Sequence, residues 1–290
     1  MNTQIDSGAL GTPDSGERDV LPAFGWAAPS SKKVGGLTAQ MGVRVISPAH
    51  RPLTEDGPIT IQRMVDDQVM YRPYAVMLEI VRATGGDVTS LRSHTGDTAI
   101  LVQTGVVTVH YVRPSGSFAS VTAVAGQSVF IPGGAHYALG VEFGEPMTLL
   151  AARPSGVAVG LNCLPGSGCG EVKVMTPEVF NRDDTHGIPR RWVVSSEVVG
   201  HEIGIGMTFG EVPAESSGHY HTHDVDTAIM MLSGKVLVPF YFGDEEDTLQ
   251  TVVARAGEAI AIPAGWVHGP CVPYGSGMTY IACRPVGIQD

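Results

Sequence analysis

Cysteine, lysine and charge of either sign are scarce in this chain, and each scarcity excludes something. Four cysteines in 290 residues are too few for a disulfide framework, and none forms a C-x2-C pair of the zinc-ribbon kind. Cys163 and Cys169 flank a Gly/Pro/Ser turn, LNCLPGSGCG, and would pair only in oxidising surroundings; free thiols are the plainer expectation. Lys and Arg number 18 against 29 Asp and Glu, a net charge of −11. That balance argues against nucleic acid or an anionic membrane surface as the main partner. No apolar run approaches the roughly 18 residues of a membrane span. The opening stretch MNTQIDSGALGTPDSGERD lacks the basic and apolar regions of a signal peptide, so a cytoplasmic protein is expected. Helical periodicity is also rare. A 3.6-residue apolar period shows only weakly around Pro177 to Arg182, where Thr176 is placed to act as an N-cap.

What the chain has in quantity is turn chemistry and repetition. Glycine (37) and proline (20) favour many turns, and a 43% apolar content is enough for a large core. The segment DTAILVQTG from Asp97 returns as DTAIMMLSG from Asp226, an offset of 129 residues. GQSVFIPGG from Gly126 returns as GEAIAIPAG from Gly257, and MTLLAARPSG from Met147 as MTYIACRPVG from Met278, both at an offset of 131. Three blocks in one order mean that a module occurs twice. Runs such as VVTVHYV and KVLVPFYF are β-branched and aromatic and end at turn residues. The reading is all-β: two tandem antiparallel barrels or jelly rolls. The expected organisation is a polar N-terminal arm over 1–35, a first barrel over 36–155, a linker with a short helix over 156–195 and a second barrel over 196–290.

The residues with chemistry cluster in the second copy. In GHYHTHDVD, His219, His221 and His223 alternate, so on a strand all three face one side. Asp226 follows three residues later, and Gly257, Pro263, Gly265 and His268 form G-x5-P-x-G-x2-H. Imidazoles and a carboxylate from two strands suit a divalent metal such as iron, manganese, nickel or zinc.

This pair of segments resembles the two motifs of the cupin superfamily, and both halves carry the resemblance, so the chain looks like a bicupin. The second motif matches through His268; the first has Asp226 where most family members carry Glu. Two registers are open. His219 and His221 leave four residues before Asp226, whereas His221 and His223 put Thr227 at the acidic position, with six residues between it and Gly234. The repeat maps His223 onto His94, Asp226 onto Asp97, His219 onto Ser90 and His221 onto Arg92, while Tyr137 aligns with His268. The first barrel has therefore lost the metal set. The histidines unique to the second copy are taken as ligands: His219, His221 and His268 with Asp226, leaving His223 beside the metal or as an alternative ligand.

Candidate pocket residues are Met207, Phe209, Met230, Tyr241, Cys271 and Arg284, although Arg153 repeats Arg284 in the first copy and a structural ion pair is the plainer role. Trp266 and Tyr220, beside ligand positions, are expected to pack away from the metal. The resemblance implies an enzyme: a mononuclear non-haem iron dioxygenase or oxygenase that binds Fe(II), a small organic substrate and dioxygen. The alternative is a non-redox isomerase, lyase or hydrolase with manganese, nickel or zinc as Lewis acid. A non-catalytic binding or storage protein is the third reading. A homodimer is expected, because exposed sheet edges need cover.

Overall fold

The computed structural model describes residues 42–86, 88–141, 146–155, 171–183, 188–216, 219–242, 249–269, 272–273 and 275–286. The expected arm over 1–35, Cys163, Cys169 and Cys271 lie outside them.

Two seven-stranded sheets form the centre of the molecule. One runs in the order Lys173–Met175, Ser128–Ile131, Thr98–Thr104, Met147–Pro154, Val76–Ala83, Ile59–Val65, Leu53–Asp56. The other runs Arg44–Ile46, Ala259–Ile262, Thr227–Ser233, Met278–Pro285, Ile205–Val212, Arg190–Val194, Asn181–Asp183. All strand pairs in both sheets are antiparallel. A smaller sheet closes each barrel: Arg92–Ser93, His136–Val141, Val106–Val112 and Phe118–Val124 in the first, and Gln250–Arg255, Lys235–Phe242 and Trp266–His268 in the second. The chain is all-β with two jelly-roll barrels.

The large sheets pack against each other, so their central strands are buried on both faces. In Thr98–Thr104, Ala99 and Leu101 join the core between the barrels, while Ile100 and Val102 fill the first barrel. In Thr227–Ser233, Ala228 and Met230 face between the barrels, and Ile229 and Met231 face into the second. Burial on both sides explains why these segments read as continuous apolar runs rather than alternating ones. Gly105 and Gly234, which end the first repeated block, both have positive φ, and a Cβ there would lie 2.6 Å from Pro146 O and 2.7 Å from Gly277 O. Only glycine turns the chain so close to the neighbouring strand.

The two halves exchange strands. Val45 in Arg44–Ile46 pairs with Ile260 of the second sheet, and Val174 in Lys173–Met175 pairs with Val129 of the first, at matching positions of the repeat. The segment read as a linker thus supplies strands to both sheets, and its expected helix is a single 3-10 turn, Pro177–Val179, at which Thr176 makes no side-chain cap bond. The only α-helical pieces among the described residues are one-turn caps at matching places, Asp67–Met70 capped by Asp66 and Ser196–Val199 capped by Ser195. A short polar side chain before the first turn satisfies an otherwise orphaned amide in both.

Buried polar groups rivet the halves together, again twice. Asp226 accepts from Ala75 N at 2.8 Å, Ala264 N at 2.9 Å and Arg72 Nη2 at 2.5 Å. Its counterpart Asp97 accepts from Gly204 N and Gly133 N, both at 2.7 Å. Each carboxylate binds one amide of its own barrel and one of the other. Tyr74 adds a fully buried hydroxyl that donates to Thr227 O at 2.7 Å and lies 3.0 Å from Ile262 O.

Asp226→Ala strands Arg72 and two amides in the interior and should cost about 3–5 kcal/mol. Tyr74→Phe should cost about 1–3 kcal/mol. Urea unfolding followed by tryptophan fluorescence and by circular dichroism checks both; a loss below about 1 kcal/mol in Asp226→Ala would show that the joint contributes little.

Candidate metal centre

The histidine segment of the second barrel docks on the strand Trp266–His268 as a single antiparallel bridge. His221 N donates to His268 O at 3.1 Å, His268 N to His221 O at 2.9 Å, and Gly265 N to His223 O at 2.9 Å. Residues opposed across a bridge project to the same face, and residues two apart share a face. Both rules bring His221, His223 and His268 together. Ring centroids are 4.3 Å apart for His221 and His268, 4.9 Å for His221 and His223, and 5.2 Å for His223 and His268. One nitrogen from each ring lies within 4.8 Å of the others.

This is not the set read from the sequence. His219 is exposed and outside the cluster; its carbonyl meets His221 Nδ1 at 2.8 Å. Asp226 is also outside the cluster, because the joint between the barrels engages both of its oxygens. His223, expected beside the metal, is one of the three. Thr227, at the acidic position of the second register, is turned into the barrel alongside Ile229 and Met231.

The local hydrogen bonds leave two of the three rings set to ligate a divalent metal. His221 Nδ1 and His268 Nδ1 each face a backbone carbonyl, His219 O at 2.8 Å and Trp266 O at 3.0 Å. A carbonyl accepts, so the proton sits on Nδ1 and Nε2 keeps the lone pair that a metal needs. His223 Nδ1 instead meets Arg284 Nη1 at 3.2 Å. Thr227 Oγ1 is buried without a hydrogen-bond partner, an orphan that a metal-bound water would satisfy. Burial first, then Arg190 and Arg284, lower the pKa of His221, against the pull of His219 O. The ring is therefore held neutral, the form that ligates.

The wall of the site is cationic and aromatic. Arg190 is buried, and Arg284 stacks its guanidinium 5.3 Å from the centre of the Trp192 ring. Room for the aromatic rings comes from glycines: a Cβ on Gly206 would lie 2.9 Å from Trp192, and one on Gly210 would collide with Tyr280.

Of the expected pocket residues, Arg284 lies at the site. Met207, Phe209 and Met230 do not: odd positions of Ile205–Val212 and even positions of Thr227–Ser233 face the core between the barrels. Tyr241 points outward, 6.0 Å from the ring of the exposed Tyr220, while its neighbours Phe240 and Phe242 face inward against Trp266. The sequence reading missed Arg190 and Trp192, and left Thr227 in the register it did not choose. The alternation R-x-W in PRRWVV and the six residues between Thr227 and Gly234 were the available signals.

The first barrel shows what the same position becomes without ligands. Arg92 stands opposite Tyr137, as His221 stands opposite His268, and His94 corresponds to His223. Tyr137 hydrogen-bonds Thr98, the counterpart of Thr227. Arg153 is held by Glu79 at 2.8 and 3.0 Å, and Arg63 binds the same carboxylate at 3.1 Å. Thr208 takes the place of Glu79 in the second barrel, so that carboxylate is absent there.

Solved structures that match this architecture include oxalate decarboxylases. The Lactobacillus farciminis enzyme, described as a formate complex, matches at TM-score 0.69 and 11% identity, over 85% of this chain and 87% of that one. A Bacillus subtilis enzyme variant matches at TM-score 0.67 and 14% identity, over 83% and 76%. Another structure of the Bacillus subtilis enzyme, whose description names Mn(II) centres, matches at 0.67 and 12%, over 85% and 78%. The chain has the bicupin fold, two cupin barrels in tandem. No family model and no curated protein matches it. No helix among the described residues is long and apolar enough to cross a membrane.

Two measurements test the site. His221→Ala and His223→Ala should each lower metal affinity by about 100-fold or more, and His219→Ala by less than about threefold. Titration of the chelated protein with Mn(II) or Zn(II) checks this, and loss of binding in His219→Ala alone would overturn the assignment. The second concerns His94, whose pKa is lowered from 6.5 to about 4 by burial first and then by Arg153. As pH falls from 6.5 toward 4, the unfolded chain takes up a proton that the folded pocket refuses, so stability drops. His94→Gln removes that proton uptake and should flatten the acid limb of the melting temperature in this window.

Proposed function

We propose that the second barrel is a mononuclear metal site for a small carboxylate substrate, acting by non-redox chemistry as a lyase, isomerase or hydrolase. The observation that carries this reading is the charge of the site. Its three imidazoles are neutral ligands, with Thr227 where a carboxylate would stand, and Arg190 and Arg284 add two guanidiniums. A divalent ion held by neutral donors keeps its full charge, and the surrounding cations reinforce the preference for an anion.

His221, His223 and His268 would hold the metal, leaving positions open for substrate and water. When bound, it would supply Lewis acidity toward a carboxylate or carbonyl oxygen. Arg284, its plane fixed on Trp192, would orient the far end of the anion, and Arg190 would hold the acid in its ionised form. The apolar wall of Ile229, Met231 and Ile262 would exclude bulk water and strengthen these interactions. Thr227 Oγ, buried without a protein partner, would hydrogen-bond a water or substrate oxygen in the site. Mn, Fe, Ni and Zn all suit the donor set. Manganese gains weight because a structural neighbour has Mn(II) centres, and decarboxylation because the neighbours perform it.

The iron dioxygenase expected from the sequence makes an opposite prediction, and one experiment divides the two. Chelated protein is reloaded separately with Mn(II), Zn(II) and Fe(II), then given a panel of dicarboxylates and keto acids while substrate loss and oxygen uptake are followed together. Turnover with Mn(II) or Zn(II) and no stoichiometric oxygen uptake is expected. Turnover confined to the iron form, with one oxygen consumed per substrate, would overturn the proposal. Arg284→Met should raise KM about 10- to 100-fold with metal content unchanged, the cost of one charge-assisted hydrogen bond.

A further inference from the structure

The first barrel places Arg92, His94 and Tyr137 where the second holds its histidine cluster, with guanidinium in place of metal donors. Three arginines converge on His94: Arg92, Arg153 and Arg63 all act electrostatically on its ring, and a single carboxylate, Glu79, acts beside them. Glu79 is shared by Arg153 and Arg63, and Arg92 pairs with Asp56. Among the described residues, three guanidiniums against two carboxylates leave one positive charge in excess. Two polar atoms here are buried without partners, His94 Nε2 and Arg92 Nε. Arg92 Nε–H can only donate, and a neutral imidazole donates from Nε2 in one of its tautomers. Two buried donors beside an uncompensated cation call for an acceptor that carries negative charge.

We infer that the first barrel binds a small carboxylate without metal, bridging Arg92 Nε and His94 Nε2 over the ring of Tyr137. His94 and Tyr137 stand with ring centroids 5.9 Å apart, and the Tyr137 hydroxyl is committed to Thr98. The ring therefore lies beside His94 and leaves the two donors for the ligand. Arg92 stands where His221 stands in the other barrel, so a fixed side-chain cation replaces an exchangeable one. The ligand class is that proposed for the second barrel, but the inference stands on the first barrel's own residues and survives if the second binds no metal.

The test uses the full-length protein stripped of metal by a chelator, with sodium acetate as the probe and sodium chloride at equal ionic strength as the control. The histidine ring signals are followed by NMR, alongside calorimetric titration. Saturable acetate binding is expected, with the largest shift on His94 and none comparable on His221 or His223. His94→Phe and Arg92→Gln should each weaken binding at least tenfold; in the latter Asp56 keeps its bond from Ser90. The double variant His221→Ala/His223→Ala should bind acetate as the parent does. Acetate behaving like chloride, with water satisfying both donors, would overturn the inference. So would binding that survives in His94→Phe and disappears in the double variant. If either first-barrel variant fails to fold, the location of the shift in the parent protein decides the matter.

Discussion

The carboxylate of Asp226 is the constraint from which much else follows. Buried between the barrels, it holds one amide of each half and the Arg72 guanidinium, so both its oxygens are engaged in the joint rather than in the histidine cluster. A buried charge survives only when every valence is matched, and here the matching fixes how the two sheets meet. Because the acidic residue of the repeated block serves the joint, the neighbouring site is left with nitrogen donors and Thr227. Asp97 performs the same service from the other side. The structural role therefore explains why the motif carries Asp in both copies, including the copy that lacks the histidine triad.

The fold was legible because repetition is a global signal. Three matched blocks located two modules, and the match of Tyr137 with His268 agrees with strand pairing: Arg92 opposes Tyr137 as His221 opposes His268. Which histidines converge was not legible in the same way. Choosing the rings unique to the second copy selected His219, but convergence depends on the bridge to Trp266–His268, which fixes the face of His221 and carries His223 with it. Parity misplaced Met207 and Met230 for a related reason. A strand buried on both faces has apolar residues at odd and even positions alike, and hydrophobicity alone cannot say which set lines the site. Arg190 and Trp192 went unseen because PRRW looked like a polar connection, whereas strand pairing makes it part of the wall.

The two barrels show one scaffold solving the same electrostatic problem in two ways. The second gathers imidazoles and has Thr208 where the first has Glu79. The first replaces two of the three rings with Arg92 and Tyr137 and adds Glu79 to neutralise Arg153. The tyrosine hydroxyl reaches the threonine that its shorter histidine counterpart leaves without a partner. Filling that space from the side chain itself removes the vacancy that a ligand sphere needs.

The exchanged strands also impose an order on how the chain can be assembled. Arg44–Ile46 is among the first described segments to leave the ribosome, yet its partner Ala259–Ile262 is made more than two hundred residues later. The first barrel, by contrast, lacks its edge strand Lys173–Met175 until its own residues are complete. During synthesis the first barrel can close its core early, while the leading strand waits unpaired for the end of the chain. That pairing cannot form before Ala259–Ile262 has been made, so the strand that precedes the first barrel is fixed only once the second barrel's strands exist.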